Sequence, residues 1–339
     1  MIKDAIAIVV GGSPLGEGEA AAAMEDIMTG QATPAQIGAF VTAMHIKGET
    51  VEELVGMAQV MRRKVTPVPY SGPTIDTCGT GGDGSHSFNI STAAAFVAAA
   101  GGIKVAKHGN RSMTSQCGSI DVLEALGVRV ELTPEEVARC LEGVGMGVMF
   151  APLFHPAMKY AAAPRREIGI RTVFNILGPL TNPAGAQSQV LGVADISLVT
   201  KMAQVLFNLQ CHHALVVHGQ DGLDEISVSA PTSLCEVTPQ GIRSYTISPR
   251  DFGISTAHKE DLRGGTAEEN ARTMRRVLGG EGGPVRDAVL INAAAALVVG
   301  DKAGNLQEGI RLAQESIDSG AALNKLEQLA RLTQSFPRA

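Results

Sequence analysis

Three kinds of anion-handling group stand close together after residue 78. Gly79-Thr80-Gly81-Gly82-Asp83-Gly84 places four glycines in six positions. A turn of that composition bares backbone N–H groups, which hold an anion without side-chain charge. Ser87 precedes a second group, Asn89, Ser91 and Thr92, at a predicted helix start, where short polar side chains donate to a phosphate or cap the helix. After an Ala-rich run, Lys107-His108-Gly109-Asn110-Arg111-Ser112-Met113-Thr114-Ser115 adds cations, an amide and hydroxyls beyond a predicted strand. Together these residues read as a cradle for a polyphosphate ester. The bland alternatives are a strand-to-helix turn, an ordinary N-cap and a solvated loop. Capping needs only one of Asn89, Ser91 and Thr92, and the cations of the last loop follow an apolar run.

Residues 79–84 also satisfy GxGxxG, a weak match by itself. A dinucleotide site wants an acid about 20 residues further on for the ribose. The next predicted strand ends instead in basic Lys107-His108. Asp83 inside the loop repels a pyrophosphate unless a metal lies between them. A phosphate loop of the nucleotide-hydrolase type is excluded because no Gly-Lys-Ser/Thr follows.

The surrounding pattern supplies the elements that must position these groups. The first 65 residues read as helices only. Thr33-Pro34-Ala35-Gln36 and Thr50-Val51-Glu52-Glu53 are capping boxes, and Ile37, Phe40, Val41 and Met44 share one helical face. Val65-Thr66-Pro67-Val68-Pro69 reads as a linker. Short apolar strands then alternate with helices: strands at 74–77, 103–106, 128–131, 147–150, 190–193 and 214–217, helices at 91–100 and 119–126. Two Pro-broken helical pieces fall within 155–185, and the last third returns to helices, with capping by Thr266 and an Ala-rich segment at 288–299. The alternation predicts an α/β class with a mainly parallel central sheet. The expected division is a small helical domain, 1–70, and a larger α/β domain, 71–339.

Bulk properties bound the partners. With 339 residues, 45% hydrophobic and 18% charged, the chain has the composition of a soluble globular protein. A net charge of -6 argues against nucleic acid and anionic membrane as partners. Cys78, Cys117, Cys140, Cys211 and Cys235 show no CxxC pairing, which points to free thiols, a cytoplasmic setting and no zinc site. No secretory signal or membrane-spanning run is visible in the sequence.

Ordered matches now run along nearly the whole chain. They are Gly79-Thr80-Gly81-Gly82-Asp83, Phe88-Asn89-Ile90-Ser91-Thr92, Lys107-His108-Gly109-Asn110-Arg111 and Gly118-Ser119 leading into Asp121–Gly127. Phe150-Ala151-Pro152, His155-Pro156, Arg165-Arg166-Glu167, Thr172–Pro183, His218-Gly219 and Gly222-Leu223-Asp224-Glu225 follow. The sequence resembles the anthranilate phosphoribosyltransferase family of tryptophan biosynthesis. It departs in small ways. Ser87 stands where Thr is usual, Met113 and Cys117 stand where small residues are usual, and His86 is an unusual neighbour of the loop. No polar function is lost by these changes.

The resemblance implies transfer of a 5-phosphoribosyl group from phosphoribosyl pyrophosphate to the amine of anthranilate, with Mg²⁺ as cofactor. It also implies a homodimer formed through the helical domain, which the helices of 155–185 join. Gly79, Gly82, Asp83, Ser87, Asn89, Ser91, Thr92, Lys107, Ser115 and Ser119 are implied to hold the sugar pyrophosphate. Asp224 and Glu225, adjacent carboxylates in a loop after a strand, are the expected magnesium ligands, with Ser91 reaching the metal and Asp83 binding it indirectly. Anthranilate carries a carboxylate, for which Arg165 is the expected bidentate partner. Asn110, His108, Gly79 and Gly178 complete that pocket, and His155 marks its entry path. The sequence contains no nucleophile–base triad; His108 is the one candidate for taking a late proton. His212 and His213 read as loop histidines. A pyrimidine nucleoside phosphorylase is the rival enzyme class, since it uses inorganic phosphate and has no need of an Asp224-Glu225 metal pair.

Overall fold

The computed structural model describes residues 1–112 and 116–337. The chain begins with four helices, α1 (Ile2–Val10), α2 (Glu17–Met28), α3 (Pro34–Lys47) and α4 (Val51–Lys64). Thr33 and Thr50 start α3 and α4 through reciprocal caps: Thr33 Oγ1 accepts from Gln36 N at 3.3 Å and Gln36 Oε1 accepts from Thr33 N at 2.9 Å. Such a cap contributes about 1 kcal/mol. Ile37, Phe40, Val41 and Met44 of α3 and Leu54, Val55, Ala58 and Met61 of α4 are buried in one hydrophobic cluster, in which α3 packs on α1 and α4 on α2. Ala161, Phe174 and Leu177 belong to the same cluster, and so do Leu191, Val193, Ala214 and Val216. The helical core therefore continues onto the sheet. Among the described residues Glu53 is the one acid fully inside it, and its carboxylate is satisfied by Lys47 Nζ at 2.9 Å, Leu15 N and Thr50 N.

The sheet has seven strands: β1 (Ile75–Gly79), β2 (Val105–Gly109), β3 (Met146–Phe150), β4 (Ser188–Gly192), β5 (His213–Gly219), β6 (Thr232–Thr238) and β7 (Gly241–Ile247). Their order is β3-β2-β1-β4-β5-β6-β7, parallel from β3 to β5, with β6 and β7 antiparallel. The class is α/β, with a small helical N-terminal region beside a larger sheet-based body. Helix α5 (Ile90–Ala100) crosses from β1 to β2 and packs on the Ala-rich helix Pro284–Val299. Both are almost wholly buried, and their alanines allow a close approach. Helix α6 (Ser119–Ala125) follows β2.

One expected strand is absent and a hairpin is added. Residues 128–131 form no strand. Val128, Val130 and Leu132 are buried in alternation, as in a strand, but the Arg129 N–H goes to Thr333 Oγ1 of the C-terminal helix at 3.0 Å and not to a ladder. The β6–β7 hairpin was not anticipated. Its outer strand is largely exposed and carries no apolar alternation to mark it.

β1 lies between β2 and β4, so the order reverses at the β1–β4 junction. In open parallel sheets this is where a crevice forms beyond the carboxyl ends of the strands. Gly79 and Gly192 are the paired last residues of β1 and β4 and stand at that crevice.

Candidate active site

The glycine loop leaves β1 at the switch point and is anchored on both sides. Thr80 N donates to Gly192 O at 2.9 Å, and Thr80 Oγ1 accepts from Ala194 N. Gly81 N donates to Asp224 Oδ2 at 3.0 Å, which ties the loop to the acidic segment after β5. Gly82 has φ +77°, a conformation that favours glycine, and the Arg171 guanidinium lies where a Cβ would stand. Arg171 Nη2 donates to Thr80 O at 3.1 Å. Ser87 is held by a β-bridge to Arg263, and His86 before it has a positive φ of 49°.

Asp83, Asp224 and Glu225 gather beside this loop. Asp83 Oδ1 accepts from Ser85 N, while its Oδ2 is buried with no hydrogen-bond partner. Asp224 is raised above the usual carboxylate range by burial and then by the Asp83 charge. Glu225 is raised by burial and then by Asp224, with Lys107 opposing. Mutually repelling acids with an orphaned oxygen fit a divalent cation. Among the described residues no group of three His, Cys, Asp or Glu side chains closes a metal cage. Two carboxylates suffice for Mg²⁺, which keeps waters and shares its sphere with substrate phosphates. Asp224 and Glu225 would hold it, beside Ser91, whose backbone N–H donates to Glu225 Oε1 at 3.1 Å.

Lys107 reaches into the same space from β2. Its ammonium donates to Thr77 O at 2.7 Å and lies 3.4 Å from Ser91 Oγ. Burial lowers its pKa from the ordinary lysine value, and Asp76, Cys78 and Glu225 act to raise it. Thr92 is buried on α5 with its hydroxyl unpartnered, two residues after the start of that helix.

Asn89 is largely engaged within the protein. Its Nδ2 donates to Cys117 O at 3.2 Å, and its Oδ1 accepts from Asn270 Nδ2 at 2.9 Å. It joins the glycine loop to the segments around 117 and 265–270. Ser119 begins α6, and its Oγ lies so close over Gly109 that a Cβ there would stand 2.3 Å away. Asn110 is exposed at the end of β2, with Oδ1 accepting from Arg111 N at 2.8 Å. Arg111 is paired with Glu124 through both terminal nitrogens and stacked on Phe150. Ser115 and Met113 lie outside the described residues.

Of the residues expected around an aromatic carboxylate, His108, His155 and Gly178 come together, and Arg165 packs on Phe174. His108 Nε2 faces His155 Nε2 at 3.1 Å, and a backbone hydrogen bond links His108 to Gly178. Burial first, then the neighbouring imidazole, lowers His108 to about 3, and burial lowers His155 to about 4. Both rings are therefore neutral at pH 7 and weak bases. Gly178 has nothing within 4 Å of its Cβ direction, so open space lies there. Arg165 is half-buried, its guanidinium 5.0 Å from the Phe174 ring centroid, with no acid partner among the described residues. It does not pair with Glu167. Burial lowers its pKa from the ordinary arginine value.

Several groups escaped sequence reasoning. Arg171 is a cation seated on the glycine loop, and nothing in its position before a helix cap announced that contact. Asp76 and Asn182 are fully or nearly fully buried beneath the site and bond to each other at 2.7 Å. Asn292 bonds both backbone groups of Ile226 and so pins the acidic loop to the helix Pro284–Val299. A polar residue inside an Ala-rich helix was the available signal for Asn292.

The fold and the site together define a phosphoribosyl-handling α/β enzyme with a helical N-terminal bundle. Residues 71–323 match the a/b domain of a glycosyl transferase family, and residues 3–65 match the helical bundle domain of the same family. A protein of Chloroflexus aggregans named anthranilate phosphoribosyltransferase is 58% identical over 330 residues, 97% of each chain. The crystal structure of anthranilate phosphoribosyltransferase from Thermus thermophilus superposes with a TM-score of 0.93 at 43% identity, covering 98% of this chain and 100% of that one. The Saccharomyces cerevisiae enzyme in complex with phosphoribosyl pyrophosphate and Mg gives 0.90 at 27% identity, covering 99% and 98%, and another structure of it holds 4-fluoroanthranilate. The chain belongs to the anthranilate phosphoribosyltransferase family. Among the described residues no helix is long and apolar enough to cross a membrane.

Proposed function

We propose that this enzyme transfers the 5-phosphoribosyl group from phosphoribosyl pyrophosphate to the amine of anthranilate, giving N-(5-phosphoribosyl)anthranilate and pyrophosphate, the second step of tryptophan biosynthesis from chorismate. The observation that carries this reading is the pairing of two unlike pockets at one switch point. One gathers the glycine loop, Lys107 and acids suited to a metal; the other has a pair of neutral imidazoles, with a guanidinium on the Phe174 ring that has no acid partner among the described residues.

The chemistry follows from those groups. The arylamine is neutral at pH 7, so its lone pair attacks C1 of the ribose without a base. The C1–O bond to pyrophosphate breaks as the N–C1 bond forms, and the nitrogen then loses a proton. Magnesium, when bound by Asp224, Glu225 and Ser91, supplies charge neutralisation for the leaving pyrophosphate. The glycine-loop amides and the Lys107 ammonium hold the same anion, and preorganised donors of this kind lower the barrier most where charge develops. Gly79, Gly82, Asp83, Ser87, Asn89, Thr92 and Ser119 frame that half, and Asn89 acts mainly by fixing the loop.

Arg165 grips the anthranilate carboxylate, Gly178 leaves room for the ring, and Asn110 contacts it from the end of β2, whereas the space beside Gly79, expected to take the ring, is filled by the Asp224 carboxylate. His108 orients the ring; at a pKa of about 3 it is too weak a base to drive the reaction, and a secondary arylammonium is acidic enough to release its proton to water. The enzyme works as a cytoplasmic homodimer assembled through the helical domain, residues 1–70, with the α/β domain over 71–339. Sedimentation of the purified protein tests the dimer. The activity is tested by following anthranilate consumption with phosphoribosyl pyrophosphate, with and without Mg²⁺. Metal-dependent loss is expected; phosphorolysis of thymidine or uridine without such loss would favour a nucleoside phosphorylase.

A further inference from the structure

β1 pairs with β4 over five residues, and β2 with β3 over five, yet β1 and β2 share a single register pair, Ile75 with Val105. The sheet therefore opens between β1 and β2 on the side that carries the site. Side chains span the opening. Asp76 Oδ1 accepts from His108 N at 3.4 Å, and Lys107 Nζ donates to Thr77 O at 2.7 Å, one strand reaching the other in each direction. Asn182 completes the bridge from below: its Nδ2 donates both to Asp76 Oδ2 at 2.7 Å and to Ala106 O at 2.8 Å, and its Oδ1 accepts from Ala184 N. Asp76 is wholly buried and Asn182 nearly so, and the hydrogen bonds of both go to the protein itself. An acid in that position is costly unless each oxygen is satisfied, which Asn182 and His108 N accomplish.

Resting on the phosphoribosyl-transfer reading, we propose that Asp76 and Asn182 are positioning residues that brace the split between β1 and β2 and so hold the Lys107 ammonium where it meets the pyrophosphate. Without the brace the β2 end is free to shift, and Lys107 loses the one nearby acid that belongs to neither the glycine loop nor the metal segment.

A double-mutant cycle tests this, read as the Kd for phosphoribosyl pyrophosphate with Mg²⁺ by calorimetry. Asp76→Asn is expected to weaken binding about tenfold or more, as for loss of a charge-assisted contact. In a Lys107→Met background the same change should cost about threefold or less, because it acts through Lys107. Equal losses in both backgrounds, or wild-type affinity in Asp76→Asn, overturn the proposal. Asn182→Ala, which leaves the acid in place, gives a second cycle with the same expected pattern should Asp76→Asn not fold. Wild-type turnover of anthranilate is measured alongside: its absence refutes the activity, whereas additive losses in an active enzyme refute only the brace.

Discussion

The backbone carbonyl of Asp224 sits directly over the α-carbon of Gly192. A Cβ at residue 192 would come within 1.6 Å of that oxygen, closer than any side chain permits. The end of β4 and the acidic loop after β5 are thus packed backbone to backbone, and the obstructing atom cannot rotate away. Gly192→Ala should displace Asp224 and the Gly81 N–H that bonds it. The expected result is a loss of magnesium-dependent activity of about a hundredfold or more, with a destabilisation in the range of about 1–3 kcal/mol for overpacking. A kinetic assay together with thermal unfolding checks it; near wild-type values in both would contradict the packing.

Removing one acid tests the metal segment. Asp224→Ala should blunt the response of the rate to Mg²⁺ and raise the KM for phosphoribosyl pyrophosphate, while chelation should abolish wild-type activity. A magnesium titration that superposes on that of the wild type would show that Asp224 holds no metal.

Arg165 and Gly178 should report on anthranilate alone. Arg165→Ala is expected to raise its KM about tenfold to a hundredfold, the scale of a charged hydrogen-bonded contact, with a smaller change for the sugar pyrophosphate. Lysine should rescue only in part, because it lacks the bidentate fork. Gly178→Ala has empty space around its new methyl, so its Tm should match the wild type while the anthranilate KM rises. Equal effects on both substrates would remove these residues from the pocket.

The His108–His155 pair predicts an acid-side instability. Unfolded imidazoles take protons near pH 6.5, whereas the folded rings do so near 3 and 4. Between those values the unfolded state binds more protons, so stability rises with pH and is lost as pH falls below about 6.5. His155→Gln, which does not titrate, should show a shallower fall of Tm from pH 6.5 to 5. Parallel curves would mean that burial does not depress the pair.

The helical start, the parallel sheet and most strands were legible because apolar periodicity and capping boxes are local signals. Thr33 and Thr50 cap as their spacing predicts. Val128 to Glu131 shows the limit: alternate burial of Val128 and Val130 is visible in sequence, but whether the backbone finds a strand or Thr333 depends on chain two hundred positions away. The polar edge strand β7 carried no apolar period to read. In the site, motif residues such as Lys107 and Asp224 stood out by type and spacing. Arg171, Asp76 and Asn182 did not, because their roles arise from contacts between segments about 90 to 110 positions apart.

Identification of the product tests the central chemistry most directly. Wild-type protein, anthranilate, phosphoribosyl pyrophosphate and Mg²⁺ should yield N-(5-phosphoribosyl)anthranilate and pyrophosphate in equal amounts, seen by mass spectrometry and a pyrophosphate assay. Release of pyrophosphate without the ribosylated amine, or no reaction while thymidine or uridine is phosphorolysed, would contradict it.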